Sequence, residues 1–346
     1  MDNISKKQIL DKEKIICSLE DKTSMIDSIF TFKDHDFLLF KSTFSILYDG
    51  KILKEKLNLN FIGSSNAFCY LSENEFLVMK NNYFSLYKFK NNRTSYEIIT
   101  TVQCSPNEEN KKIFKIFKND ILNICEYKFQ FQPSIKIYTR IDDNNGSTIN
   151  YELISDNVLT DIDEVINLED TFQFLAIKKY ENLNEILFKV YDYGHNIVRF
   201  NRVNCFSSKK RRIFMPQFSF YKVNKNKLIT SSIYYIYIFD IETLELETTI
   251  KVFSEIKRFI ILNNRNIMLV LYNSEFKDLK REEHYSICKM LVDFENNSIE
   301  KTENNEITDK VGEFKTLFNI FNYHDDGLIT ISDHCFLNIY KDICKE

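Results

Sequence analysis

One pattern recurs seven times along the chain and constrains its fold more than any single residue does. Each copy has a short apolar run, a polar turn, a second run that opens on an aliphatic or aromatic residue, and a third that ends in an aromatic. The last copy is the cleanest. It reads Phe318-Asn319-Ile320-Phe321, the turn His324-Asp325-Asp326-Gly327, then Leu328 to Asp333, then Phe336-Leu337-Asn338-Ile339-Tyr340. The second runs open near Phe37, Phe76, Ile121, Phe172, Leu228, Ile267 and Leu328, at separations of 39, 45, 51, 56, 39 and 61 residues.

The runs are strands by composition. Tyr234-Tyr235-Ile236-Tyr237-Ile238-Phe239 is β-branched and aromatic throughout, and Leu228 to Ser232 before it has no helical period. Glu245 to Val252 alternates polar and apolar, as a half-exposed outer strand does. The expected inner strands are Ile29–Phe32, Ala67–Leu71, Ile113–Phe117, Val165–Leu168, Phe214–Tyr221, Phe259–Leu262 and Leu317–Tyr323. Turns rich in Asp, Asn, Glu and Lys follow them, such as Lys33-Asp34-His35-Asp36 and Ser72-Glu73-Asn74-Glu75. A repeat of about 40–50 residues with four strands per unit is what a β-propeller requires. The expectation is all-β: a seven-bladed β-propeller of four-stranded antiparallel blades, one domain spanning residues 1–346. Only six residues follow Tyr340, too few for a last outer strand. Lys12 to Leu19 has no local partner, so this N-terminal strand is expected to complete the last blade and close the ring.

Composition narrows the function classes. Six Gly and three Pro leave no linker-like stretch. The net charge of −4, with acids and bases interspersed, argues against a duplex nucleic-acid binder. Apolar runs such as Ile267 to Leu271 are far shorter than the roughly 20 residues of a membrane span. The first residues carry Asp2, Lys6 and Lys7 with no apolar core of a signal peptide. The eight cysteines form no C-x-x-C pair and read as reduced core hydrophobes, which implies the cytoplasm, with the nucleus as second choice.

At the ends of the third runs the chain resembles the WD-repeat family. Tyr48-Asp49, Tyr191-Asp192 and Phe239-Asp240 stand where that family has Trp-Asp, and the slot decays to Tyr87-Lys88, Tyr138-Thr139 and Tyr340-Lys341. The sequence has no Trp, and the family's Gly-His pair is missing from every unit. The resemblance covers essentially the whole chain. It implies an aromatic packed between blades at each slot, with the Asp starting the next turn.

Lys209-Lys210-Arg211-Arg212 is the densest basic run, with Arg199 and Arg202 upstream and Phe200, Phe206 and Phe214 beside it. It reads as a contact for another protein, as an anion or phosphoinositide site, or as a solvated loop. Phosphoinositide-binding propellers carry a paired Arg to which Arg211-Arg212 is loosely similar, although Ile213 stands where that family has Gly. Asn273 to His284 and Glu295 to Glu313 read as long polar connections, within the sixth unit and after it. His35, His195, His284, His324 and His334 do not assemble a metal-ligand spacing, so no metal or cofactor is expected. No nucleophile elbow, phosphate loop or paired catalytic carboxylate is present. The expectation is a non-catalytic protein-interaction scaffold, a monomeric propeller within a hetero-complex. The alternatives are a phosphoinositide-binding propeller with weak anionic-lipid contact through residues 209–212 and, third, a propeller hydrolase.

Overall fold

A computed structural model of the chain describes residues 15–20, 26–32, 36–41, 45–59, 68–80, 83–103, 111–115, 121–126, 134–142, 149–158, 162–168, 173–180, 183, 185–192, 194, 196–204, 219–252, 254–262, 266–272, 285–294, 298–299, 309–314, 317–324, 327–332 and 336–341. Every regular element in them is a β-strand. Five sheets are plain four-strand antiparallel meanders in chain order. The first runs Ile26–Thr31, Phe37–Lys41, Ser45–Asp49 and Lys54–Leu59; the second Phe68–Ser72, Glu75–Lys80, Tyr83–Lys90 and Ser95–Gln103. The third runs Lys111–Lys115, Ile121–Glu126, Ser134–Asp142 and Ile149–Val158; the fourth Glu164–Leu168, Gln173–Tyr180, Glu185–Asp192 and Ile197–Asn204. The fifth runs Tyr221–Lys222, Lys227–Ser231, Tyr235–Asp240 and Leu246–Lys251.

The remaining two sheets depart from that plan. In the sixth, Glu255–Ile261 and Asn266–Tyr272 lead to Tyr285–Asp293, which pairs with both Ser298–Ile299 and Asp309–Phe314. The expected polar connection of residues 295–313 therefore holds strands. Asp309–Phe314 reads D-K-V-G-E-F and is held by its backbone ladder, so its composition gave little sign of it. In the seventh sheet, Leu317–Tyr323, Gly327–Ser332 and Phe336–Tyr340 are joined by Ile15–Glu20, which pairs antiparallel along Phe336–Tyr340. Of the strand expected over residues 12–19, the described part from Ile15 onward has the partner expected for it, and residues 12–14 lie outside the described residues.

The chain forms two compact units. One comprises Ile26–Asp49 and Lys54–Asn204, holding the first four sheets; the other comprises Met1–Met25, Gly50–Leu53 and Cys205–Glu346, holding the last three. Inside each, the second and third strands of a sheet carry the core. Phe37 to Phe40, Phe76 to Met79, Phe174 to Ile177, Leu228 to Ser231 and Gly327 to Ile331 are continuous buried runs, as strands packed on both faces should be.

The slot at the end of each third strand is built the same way from sheet to sheet. The second strand places an apolar residue directly across from the slot: Phe37 opposite Tyr48, Phe76 opposite Tyr87, Phe174 opposite Tyr191, Leu228 opposite Phe239 and Leu328 opposite Tyr340. Where both are aromatic the rings stack, with centroids 5.4, 5.2 and 5.3 Å apart and planes within 15°. In the fourth sheet the stacking residue is Phe174, two positions beyond the expected Phe172. Tyr48, Tyr191, Phe239 and Tyr340 are all buried. A β-bulge falls immediately before the slot in the pairing to the fourth strand, at Leu47/Tyr48, Leu86/Tyr87, Ile137/Tyr138, Val190/Tyr191 and Ile238/Phe239. Such a bulge adds one residue to the outer strand, bends it and increases its twist.

Candidate protein-interaction surface

The extra bulge residue is a first source of placed charge. In the first sheet it is Lys56, whose Nζ donates to Asp36 Oδ2 at 2.6 Å. In the fifth it is Glu247, which accepts from the buried Lys227 Nζ at 2.5 and 2.6 Å. The two sheets use one geometry with the signs reversed. Asp240 lies 3.6 Å from the same ammonium and accepts the Thr243 N–H at 2.6 Å, so the slot Asp does open the following turn. Asp192 does likewise, accepting the Asn196 N–H at 2.8 Å. Burial pushes the Asp240 carboxyl up, but the Thr243 and Glu242 N–H groups, the Thr243 hydroxyl and the Lys227 charge outweigh it and hold the carboxyl below its ordinary value.

Two arginines link neighbouring sheets within the first unit. Arg93 sits in the turn of the second sheet's outer hairpin, where Asn91, Asn92 and Arg93 all have positive φ. Its guanidinium donates to Asp36 at 3.2 Å and to the Glu73 carbonyl, and lies 5.1 Å from the centre of the Phe32 ring. Three left-handed non-glycine residues in a row are unfavourable, and these contacts hold the turn. Arg140 of the third sheet donates to Glu75 of the second at 2.9 Å. These charges are satisfied within the fold and form links between its sheets.

A different arrangement occupies the outer half of the fourth sheet. Tyr191 pairs with Ile197 and Val190 with Arg199, so Val198 is the bulge residue. Beyond it Phe200 lies across from Lys189, and Arg202 across from Leu187. Side chains directly opposite in an antiparallel pair share a face, so these four stand together. Phe200 is 71% exposed, the highest value among the exposed large hydrophobic residues described, with Ile197 at 51% and Val198 at 47% beside it. Arg202 lies 5.5 Å over the Tyr180 ring and 3.5 Å from Glu185, with its side chain 56% exposed. Lys189 and Leu187 are half-buried. The opposite face is closed: Ile186, Phe188, Val190 and Val203 are buried, and Arg199 donates to Gln173. One face of this strand completes the core. The other offers an aromatic ring and an Arg, residue types enriched where proteins bind one another, with the half-buried Lys189 across from the ring.

Lys209, Lys210, Arg211 and Arg212 lie outside the described residues, as do Phe206, Phe214, His35, His195, His284, His334 and residues 273–284. Of the segment singled out in the sequence, the structure therefore places only the part ending at Asn204. His324 sits in the turn of the seventh sheet with its ring edge-on to Tyr323. Cys69 and Cys288 are buried and unbridged. Among the described residues no group of three or more His, Cys, Asp or Glu could hold a metal ion, and no helix is long and apolar enough to cross a membrane.

One sequence signal that begins in this part of the chain was missed. From Tyr193 to Phe239 there is no Asp or Glu, although these make up 50 of the 346 residues, while the same stretch holds nine Lys and Arg. Acids and bases are interspersed elsewhere but not here. A whole-chain net charge averages this away.

No family model matches the sequence, and no curated protein does. Solved structures do resemble the chain. Sqt1 of Saccharomyces cerevisiae matches with a TM-score of 0.53 at 9% identity, over 95% of this chain and 99% of that one. The WD40 domain of SCAP from fission yeast matches with a TM-score of 0.53 at 8% identity, over 96% and 99%. The computationally designed Ika8 protein matches with a TM-score of 0.51 at 8% identity, over 95% and 99%. At such identities the likeness speaks to fold alone. By fold the chain is an all-β propeller.

Proposed function

We propose that the chain is a non-catalytic interaction scaffold: a single seven-bladed propeller over residues 1–346, closed by its N-terminal strand, that serves as one subunit of a protein assembly. The observation that carries this reading is the exposed Phe200, flanked by Arg202 and Lys189, on an outer strand whose other face is closed by core packing. WD40-like propellers as a class serve protein interaction, and loops and outer strands are where such a disc can vary without disturbing its core. In this reading Lys209, Lys210, Arg211 and Arg212 add positive charge to the same contact, and the compartment is the cytoplasm.

The test is affinity capture with the full chain from its own cells, quantified by mass spectrometry for native protein and for Phe200→Ala. The expected result is one or more partners recovered in near-stoichiometric amount and depleted by Phe200→Ala. Charge reversal at residues 209–212 is expected to deplete the same partners. Recovery of no stoichiometric partner, or full retention by Phe200→Ala, overturns the reading.

A further inference from the structure

We propose that the Phe200 face docks an acidic segment of a partner protein that also carries an aliphatic or aromatic side chain. This rests on the scaffold reading and names the chemistry of the partner. Two observations point the same way. The first is geometric: Phe200 stands exposed with Lys189 directly across and Arg202 two residues along the same face. A segment lying there meets an apolar ring between two cations, so it needs an apolar side chain and at least one carboxylate beside it.

The second observation is charge. The outer strand Ile197–Asn204 carries Arg199 and Arg202 and no Asp or Glu, within a chain of net charge −4. Such a strand favours acidic partners over basic ones. Glu185, the carboxylate bound by Arg202, lies at the far end of the face and leaves the Arg202 side chain largely exposed. Ile197 and Val198, exposed just before Phe200, favour a protein segment over a nucleic acid or a phosphate headgroup. A phosphate group makes no favourable contact with exposed aliphatic side chains, whereas a peptide's apolar side chain does.

Four probes separate the outcomes: a short labelled peptide alternating Glu with Leu, its counterpart with Lys for Glu, a single-stranded oligouridine, and phosphatidylcholine vesicles containing phosphatidylserine. Binding is read by fluorescence anisotropy for the peptides and oligonucleotide, and by flotation for the vesicles. The native chain is expected to bind the Glu–Leu peptide, to bind it less at raised salt, and to ignore the Lys–Leu peptide. Phe200→Ala should weaken binding about tenfold, Phe200→Glu should abolish it, and Phe200→Leu should retain most of it, all three with unchanged melting curves. Equal binding of the Glu–Leu peptide by native chain and Phe200→Glu overturns the proposal. So does oligouridine or vesicle binding without peptide binding. If captured partners are lost on Phe200→Ala while the acidic peptide fails to bind, the scaffold reading survives and the acidic class falls.

Discussion

The fourth and fifth sheets share an inner plan and part company at the last strand. In both, the second strand holds a continuous buried run, Phe174–Ile177 in the fourth and Lys227–Ser231 in the fifth, an apolar residue faces the slot aromatic, and a bulge precedes that slot. Beyond the bulge the fifth sheet turns its extra residue, Glu247, onto the buried Lys227. The fourth leaves Val198 exposed and presents Phe200 outward. Packing dictates three strands of the unit and leaves the fourth free, so the outer strand can serve either the fold or a partner. The fifth sheet uses it for the fold and the fourth keeps it available.

The shared part of the comparison is broken most directly at the slots. Phe239→Ala in the fifth sheet and Tyr191→Ala in the fourth should each cost about 3–5 kcal/mol, because each removes a buried ring from between packed strands. Denaturant midpoints measure this. A slot in either sheet that tolerates Ala with less than about 1 kcal/mol lost would show that the two inner plans are not equivalent.

Those slots were legible in the sequence. Aromatic residues at the ends of third runs, with Asp after three of them, located Tyr48, Tyr191, Phe239 and Tyr340, and the second-strand openings fell within two residues of their places. Burial on both faces favours runs of mostly apolar residues, and that leaves a mark in composition. The bulges left none, since they are a matter of backbone register. The strand Asp309–Phe314 was unreadable for a related reason: a ladder can be filled by any non-proline residue, and D-K-V-G-E-F alternates only faintly. The links made by Arg93 and Arg140 were equally invisible, because Asp36 and Glu75 lie 57 and 65 residues away. As for the surface, Phe200 was noticed only as a neighbour of the basic run. The acid-free stretch of sequence that contains it was a second signal.

A smaller effect should come from the fifth sheet's own use of its bulge. Lys227→Met leaves Glu247 and Asp240 without their cation and should cost about 1–3 kcal/mol. The double exchange Lys227→Glu with Glu247→Lys should recover part of the loss, as a coupled pair does. The pH dependence has a definite sign. Asp240 is held below the ordinary aspartate value of 3.8, so its contribution is present above that value and is lost as pH falls through the lower folded value. Lys227→Met should therefore flatten the acid limb of the stability profile below about pH 4. An unchanged acid limb would remove Lys227 from the account of Asp240.

The smallest expected effect on stability is the most informative about the fourth sheet. Phe200→Ala removes a ring as large as that of Phe239, yet Phe200 is 71% exposed and Phe239 is 1% exposed. What a side chain contributes to folding is set by the surface it hides from water, so the exposed ring should cost no more than about 0.5 kcal/mol when truncated. The two Phe→Ala variants, measured side by side by chemical denaturation, should thus differ by several kcal/mol for the same chemical change. A loss above about 2 kcal/mol at Phe200 would mean that this ring is part of the packing and that the fourth sheet, like the fifth, commits its outer strand to the fold. A near-zero loss leaves an exposed aromatic between two cations that stability does not account for, and binding is then the property its removal should change.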